Sequence, residues 1–320
     1  CTGGRTKKIH VYDMTKGDYK LLTKLEGHTH YIYCLTSSSD GTRLFSGSRD
    51  KTVKIWDTSS QHADQWTLLK TLVGHTSPVI YLSLSQCSQY LATGSEDKTI
   101  IVWDVEVGAL LRTIKSPQMT EVKGVSYGRD NTISSASTDG SVRAWNLGAK
   151  AQEPLKLEGH TSSVQAVAIS GDGRTVISGS GDNSVRVWDA QTGEQKALLE
   201  GHTGTVYSVD ISKDGKLAVS AGSDDKAVRI WSLECEAKEL KKIDFGKGVF
   251  AVTFSPDEES LFAGGQDGLL KQYSVNNGES IKEFKGHTNY INSLKTTSDG
   301  KHLVSASDDN KIIVWNVESG

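Results

Sequence analysis

The stretch LATGSEDKTIIVWD at residues 91–104 returns in nearly the same form as LFSGSRDKTVKIWD at 44–57 and VISGSGDNSVRVWD at 176–189. Related segments reach an aromatic residue near their ends at intervals of 44, 47, 42, 43, 43, 42 and 42 positions. These aromatic positions are Tyr12, Trp56, Trp103, Trp145, Trp188, Trp231, Tyr273 and Trp315. A steady period in this range indicates a chain built from stacked structural repeats.

Each repeat has the pattern of short antiparallel strands. Within residues 160–200, apolar residues come in short runs that begin at Val164, Val176, Val185 and Leu198, with Gly, Asp, Asn and Ser between them. Period-two runs split by turn residues about every ten positions favour strands over helices. One such sheet is too small to be stable alone, so the sheets are expected to pack face to face.

The repeats place Gly-His near their start and Trp-Asp near their end, as at Gly159-His160 and Trp188-Asp189. In this they resemble the WD-repeat β-propeller family, and the resemblance covers nearly the whole chain. It implies an all-β fold, a seven-bladed β-propeller of four-stranded antiparallel blades. Residues 19–25 (YKLLTKL) precede the first Gly-His, where an outer strand belongs. We therefore expect the ring to close by pairing this N-terminal strand with the C-terminal blade, because closure removes free sheet edges.

Residues 1–13 align with residues 45–57 and so form the tail of one repeat too many. They belong either to a neighbouring blade or to the slot taken by residues 311–316, and an eight-bladed ring is the alternative fold. The expected division is a leftover strand or N-terminal extension at 1–18 and a single propeller at 19–320. The chain opens on Cys1 rather than Met, which indicates a piece of a longer protein.

The resemblance implies a buried hydrogen-bonded quartet of Trp, Ser or Thr, His and Asp in five blades. A repeated Ser, His and Asp suggests a hydrolase triad, but a catalytic set occurs once per site, whereas this one is written five times beside a Trp. We therefore interpret the quartets as structural. They are His28/Ser46/Asp50/Trp56, His75/Thr93/Asp97/Trp103, His160/Ser178/Asp182/Trp188, His202/Ser220/Asp225/Trp231 and His287/Ser305/Asp309/Trp315. Blade three has Gln118 at the His position, and blade six has Phe245, Ala263 and Tyr273 at the His, Ser and Trp positions.

Function is expected on the upper rim, the face to which the family resemblance assigns three positions per repeat. Two of these flank the first apolar residue of the inner strand, and one precedes the turn Asp. The aromatic residues among them fall on blades five, six, seven and one, which are neighbours in a closed ring. The predicted partner-binding residues are Tyr31, Tyr33, Arg49, Tyr207, Asp224, Phe250, Tyr290, Asn292 and Asp308. Tyrosine is a favoured anchor at interfaces because it buries a large area and keeps a polar tip.

The sequence therefore predicts a non-catalytic scaffold that binds a peptide or loop of another protein on the upper rim near the central channel. The alternative is a substrate-targeting propeller of a larger enzyme, such as a kinase, a ubiquitin ligase or an ATPase, whose catalytic domain lies outside this chain. No enzyme activity, cofactor or small-molecule substrate is expected, since no His, Asp and Glu group has metal-ligand spacing.

Composition limits the other classes of function. The chain has 36 basic and 39 acidic residues, a net charge of −3, which argues against a nucleic-acid partner. No apolar run approaches the roughly 18 residues of a membrane span, so membrane insertion is not expected. The four cysteines are far apart and form no metal or disulfide framework. An intracellular location, cytoplasmic or nuclear, fits this composition.

Overall fold

A computed structural model describes residues 7–12, 21–38, 40–60, 62–115, 120–128, 132–147, 154–234, 236–297, 299–309 and 312–319. Its described strands pair only antiparallel, in sheets whose strands follow one another in chain order. Six sheets have four strands, one has three and one has two within these ranges. A three-residue 3-10 helix, Ala63–Gln65, lies in the connection that leads to the outer strand of blade one.

Each of the seven blades runs from an inner to an outer strand. Blade one contains β3 Ile32–Ser37, β4 Arg43–Ser48, β5 Thr52–Asp57 and β6 Thr67–Val73, and blade two β7 Val79–Leu84, β8 Tyr90–Ser95, β9 Thr99–Asp104 and β10 Leu110–Lys115. Blade three contains β11 Val122–Tyr127, β12 Thr132–Ser137, β13 Val142–Asn146 and β14 Leu155–Leu157, and blade four β15 Val164–Ile169, β16 Thr175–Ser180, β17 Val185–Asp189 and β18 Gln195–Leu199. Blade five contains β19 Val206–Ile211, β20 Leu217–Gly222, β21 Ala227–Ser232 and β22 Lys238–Asp244, and blade six β23 Val249–Phe254, β24 Ser260–Gly265, β25 Leu270–Ser274 and β26 Ser280–Phe284. Blade seven contains β27 Ile291–Thr296, β28 His302–Ser307 and β29 Ile312–Asn316, and the first two strands of the chain are β1 Lys8–Tyr12 and β2 Leu21–Glu26.

The sequence of each strand matches its depth in the blade. The second strand β16 (TVISGS) is buried at every position but the first, because it lies between two neighbouring blades. The outer strand β22 (KELKKID) is exposed at every position but Ile243, and its three lysines face solvent. The sheets therefore pack face to face, and the apolar core lies between them.

The recurring Ser-Gly-Ser of the second strand has a packing reason. A Cβ at Gly179 would lie 2.6 Å from Cγ1 of Val206 and 2.9 Å from Cγ1 of Val209, both on the inner strand of the next blade. Such distances are too short for real carbon contacts, so only the absence of a side chain lets the next blade approach this closely. The repeat therefore encodes blade-to-blade packing as well as strand structure.

Inner strands of successive blades pack side by side from β3 to β27, which confirms the seven-bladed β-propeller. The predicted pairing of the N-terminal strand with the C-terminal blade was wrong. Instead β2 pairs with β1, with Ile9 opposite Leu25, and in the described ranges the strand partner of β29 is β28.

The physical reason is that β1 has the sequence of a third strand and β2 that of a fourth. Because few residues connect them, pairing β2 with β1 costs little conformational entropy. The β1–β2 sheet packs on blade one through Ile9, Val11 and Leu25. In the described residues β29 keeps its pairing with β28, so the alternative in which residues 1–13 take that slot is not seen. The division expected at residue 18 lies in sequence between β1 and β2 and stays a prediction.

Candidate functional site

Blade four shows the geometry of the hydrogen-bonded quartet. The Trp188 indole N–H donates to the Ser178 hydroxyl at 2.8 Å. Nε2 of His160 lies 2.8 Å from the same hydroxyl, and Nδ1 lies 2.8 Å from the Asp182 carboxylate. Because a carboxylate only accepts, Nδ1 carries the proton, and in the neutral ring Nε2 accepts from Ser178.

The structure brings the four side chains together in each of the five predicted blades. The Nδ1–carboxylate distances are 2.7–2.9 Å, the Nε2–hydroxyl distances 2.7–2.8 Å and the indole–hydroxyl distances 2.8–3.0 Å. The bridging hydroxyl is wholly buried in every case, at Ser46, Thr93, Ser178, Ser220 and Ser305. A hydroxyl that no substrate can reach cannot act as a nucleophile, so this geometry supports a structural role.

The electrostatics of the quartet favour a neutral imidazole beside a charged carboxylate. Burial alone would raise the pKa of Asp182, but hydrogen bonds from the Ser184 hydroxyl and the Thr161 amide outweigh it and bring that pKa to about 2. Burial lowers the pKa of His160 below its ordinary value, although Asp182 acts in the opposite direction. The same balance of burial and hydrogen bonds lowers the pKa of Asp50 and Asp97 in blades one and two.

Blade six replaces the quartet with apolar packing. Phe245 and Tyr273 are buried with their ring centroids 6.5 Å apart, and Ala263 is wholly buried between the flanking strands. A Cβ at position 265 would overlap the Phe245 ring, so Gly265 is what makes room for a phenyl group larger than imidazole. The blade is held by buried carbon surface in place of hydrogen bonds.

Blade three holds its turn Asp, Asp139, with a cation from β13, the strand that directly follows the turn. Gln118, predicted at the His position, lies outside the described residues. Arg143 on β13 is 1% exposed, and its Nη2 donates to the Asp139 carboxylate at 3.1 Å. Sequence reasoning missed Arg143 because it compared only residues in the Gly-His slot.

A cavity of about 510 Å³ lies near the inner strands of blades two and four to seven. Its lining combines aromatic and polar side chains: Tyr81, Gln165, Tyr207, Phe250, Tyr290, Asn292 and Asp308. We call it the aromatic pocket. The structure thus brings together five of the nine predicted partner-binding residues.

A β-bulge places the pocket's side chains. In every inner strand the register shifts between its first and third residues, as between Val206 and Ser208 or Val249 and Ala251. The second residue is therefore left out of the ladder, which is how bulges re-aim side chains beside functional sites. Tyr207, Phe250 and Asn292 occupy this bulged position.

The aromatic residues of the pocket touch one another in sequence around the rim. The rings of Tyr207 and Phe250 lie 4.9 Å apart at 49°, and those of Phe250 and Tyr290 lie 5.3 Å apart at 73°. Gln266 Nε2 donates to the Tyr290 hydroxyl at 2.8 Å, which fixes that ring. Asn292 Nδ2 donates to the exposed Asp308 carboxylate at 2.7 Å.

The other four predicted residues lie away from this lining. On blade one, Arg49 lies 5.9 Å from the centroid of the Tyr31 ring, which also packs edge-on against His30 at 4.5 Å. Tyr33 is 46% exposed. Asp224 on blade five is exposed and accepts a hydrogen bond from the Ser223 hydroxyl at 3.1 Å. The predicted arc is therefore two clusters, one on blades five to seven and one on blade one.

Tyr81 lines the pocket and was not predicted. Its position, the third of the inner strand, holds a small residue in the six other blades: Cys34, Gly124, Ala166, Ser208, Ala251 and Ser293. Comparison of the repeats at this position could have identified Tyr81, because it is the one large residue among small ones. Burial raises the pKa of Tyr81 to about 12, so its hydroxyl stays protonated and able to donate.

The described ranges also bear on metal binding and membrane insertion. No group of three His, Cys, Asp or Glu side chains converges there as metal ligands. Nor does any helix in that part of the chain have the length and apolar character needed to cross a membrane.

The fold and the repeated quartets define a WD-repeat β-propeller. The family model described as WD domain, G-beta repeat matches residues 19–57, 66–104, 152–189, 193–232, 238–274 and 278–316. These matches cover more than half of the chain, so the protein belongs to this WD-repeat family. Between the second and third matches lie residues 105–151, which contain the three innermost strands of blade three, one of the two blades without Gly-His.

Several curated proteins are similar to the chain. The serine-threonine kinase receptor-associated protein of Mus musculus is 27% identical over 295 residues, which are 92% of this chain and 69% of the relative. Its Gallus gallus counterpart is 28% identical over 201 residues, 62% of this chain and 56% of the relative. Eukaryotic translation initiation factor 3 subunit I of Xenopus tropicalis is 28% identical over 207 residues, 60% of this chain and 61% of the relative. The chain therefore spans 56–69% of the length of these relatives.

Proposed function

We propose that this propeller is a non-catalytic interaction scaffold that binds a peptide or loop of another protein at the aromatic pocket on its upper rim. The observation that carries the proposal is the contiguous ring surface of Tyr207, Phe250 and Tyr290 beside a cavity of about 510 Å³. Pockets of roughly 300–1,000 Å³ are the size in which compact ligand groups are buried.

The energetics favour a small number of anchoring contacts. Aromatic side chains dominate binding energy at interfaces because each buries a large area with few rotatable bonds. Tyr290 is already restrained by Gln266, so little side-chain entropy remains to be lost when a partner docks. Tyr207 is 39% exposed and has area left to bury.

The relatives support a scaffold in general terms. One carries a name that associates it with a kinase receptor, and another is a subunit of an initiation factor. Both names describe proteins that work in assemblies. We extend this to the present chain as part of the proposal, with protein partners and without a small-molecule substrate.

The test separates the two aromatic clusters. Peptides selected from a random display library on the purified chain would be measured by fluorescence polarisation against three proteins: wild type, Phe250→Ala/Tyr290→Ala, and the control Tyr31→Ala/Tyr33→Ala. Truncation of hot-spot residues costs about 2 kcal/mol each, or roughly 30-fold in affinity. We expect the first variant to lose binding and the control to retain it, with all three proteins melting together.

Equal affinity of the selected peptides for wild type and the Phe250→Ala/Tyr290→Ala variant would contradict the proposal. Loss of affinity in the control alone would move the binding site to blade one.

A further inference from the structure

The aromatic pocket has an excess of negative character. Among its seven described lining residues Asp308 alone is charged, and it is acidic. Aromatic faces are also electron-rich, because the ring quadrupole places negative charge above and below the plane. Resting on the function proposed above, we infer that the pocket receives one cationic side chain, a lysine or an arginine, of the bound peptide.

The pocket offers carbonyl and carboxylate acceptors beside its tyrosine hydroxyls. Gln165 uses its Nε2 to donate to Ser163 at 2.7 Å, and its carbonyl oxygen can accept from a ligand. Asn292 donates from its Nδ2 to Asp308, and the Asn292 carbonyl oxygen can likewise accept. Lysine and arginine carry only donors, three and five respectively, and so match these acceptors.

The shape of the aromatic wall suits a cation. Rings inclined by 49° and 73° to their neighbours cannot form one flat stack, so they curve around the cavity. A cation within about 6 Å of such ring centroids is attracted by the ring quadrupole, and more strongly as it is desolvated. The Asp308 carboxylate adds a charge-assisted hydrogen bond.

The other classes of occupant fit less well. A phosphate or carboxylate would meet Asp308 and the ring faces with like charge. An aliphatic side chain would remove water from the Asp308 carboxylate and from the Gln165 oxygen without replacing their hydrogen bonds, which is costly. A donor-rich cation satisfies both the aromatic faces and the Asp308 carboxylate.

The experiment first changes the basic residue of the bound peptide and then changes Asp308 of the protein. Peptides selected on the purified full chain would be aligned for a basic residue at one fixed position, and that residue would be replaced by norleucine, which keeps the chain of methylenes without the charge. We expect the norleucine peptide to bind at least about 10-fold more weakly to wild type.

Asp308→Asn is the protein arm, and Glu96→Gln on the exposed rim of blade two is its matched control. We expect Asp308→Asn to weaken the basic peptide about 10-fold. The norleucine peptide should be almost insensitive to the same change, and Glu96→Gln should alter neither.

The outcomes separate the two proposals. Selected peptides that depend on Phe250 but lack a basic residue, or tolerate norleucine, overturn the cation and leave the scaffold function standing. Peptides that bind regardless of Phe250→Ala overturn both, as does a selection that enriches nothing.

Discussion

Ser178→Ala removes the atom through which blade four's quartet is joined. Its hydroxyl lies 2.8 Å from Nε1 of Trp188 and 2.8 Å from Nε2 of His160, and the residue is wholly buried. The substitution therefore leaves two buried polar groups, Trp188 Nε1 and His160 Nε2, without this hydrogen-bond partner. Each such group costs about 1–3 kcal/mol, so we expect a loss of about 2–6 kcal/mol in the free energy of unfolding.

The assay is urea unfolding of the purified chain, followed by tryptophan fluorescence and far-ultraviolet circular dichroism. The midpoint should fall while the denaturant slope stays constant, because the substitution changes contacts and not the surface exposed on unfolding. Ser162→Ala in the same blade is the control: its hydroxyl makes no hydrogen bond described here, and we expect a change within about 0.5 kcal/mol. A loss in Ser178→Ala no larger than in this control would refute the structural reading of the quartets.

Blade six supplies a stricter version of the same test. It combines Phe, Ala, Tyr and Gly where blade four has His160, Ser178, Trp188 and Ser180. Installing all four blade-six residues in blade four should cost less than the sum of the single changes, because the apolar set leaves no polar group unpaired. An additive loss would show that the hydrogen bonds are not coupled.

Three smaller perturbations test neighbouring parts of the frame, each by urea unfolding. Gly265→Ala should destabilise the chain by about 1–3 kcal/mol, because the added methyl group overlaps the Phe245 ring. Adding Phe245→Leu to this variant should restore part of the lost stability. An unchanged free energy of unfolding in Gly265→Ala contradicts the packing argument. Asp139→Ala should cost about 3–5 kcal/mol because Arg143, 1% exposed, keeps a buried charge without its partner, and an effect below about 1 kcal/mol contradicts it. The pKa of Asp182 is about 2 in the folded chain and about 3.9 in the unfolded chain, so the stability that the ionised carboxylate contributes is present above pH 4 and is lost as the pH falls through 2. The difference in free energy of unfolding between wild type and Asp182→Asn should therefore shrink over that range. A difference that stays constant with pH argues against this role.

The quartets were predictable because their members are fixed within one repeat. In blade one, Ser46, Asp50 and Trp56 follow His28 by 18, 22 and 28 positions, and blades two, four and seven keep the same spacing. Each blade folds as one hairpin-linked sheet, so a constant spacing along the chain becomes a constant geometry in space. Blade five reaches the same hydrogen bonds with one extra residue before Asp225, which its turn absorbs.

The rim was predictable only in part, because it is built between blades. Positions in single repeats selected Tyr207, Phe250 and Tyr290, and the structure shows that these rings meet across three blades. The same positional rule also chose Tyr31 and Arg49, which instead contact each other on blade one. Which rim residues meet depends on how successive blades are placed around the channel, and spacing within a repeat carries no information on that.

The pairing of β2 failed as a prediction for a related reason. Residues 1–13 align with the end of a repeat that has no inner strand ahead of it, so the first outer strand was expected to pair at the far end of the chain. The structure follows the local rule seen in the six four-stranded blades, where the fourth strand pairs with the third that precedes it. Local pairing needs a shorter loop and so a smaller entropy loss than pairing across about 290 residues.

The frame and the pocket are connected physically in blade seven. Asp309 accepts hydrogen bonds from Nδ1 of His287 and from the Thr288 amide, at 2.8 and 3.0 Å, and so holds the turn against the start of the inner strand. The amide of the preceding residue, Asp308, donates to the Tyr290 carbonyl at 2.9 Å. The buried quartet therefore sets the position of the carboxylate and of one aromatic ring in the pocket. We therefore expect loss of His287 to lower stability and also to weaken the peptide binding proposed for the pocket, although His287 is not among the lining residues.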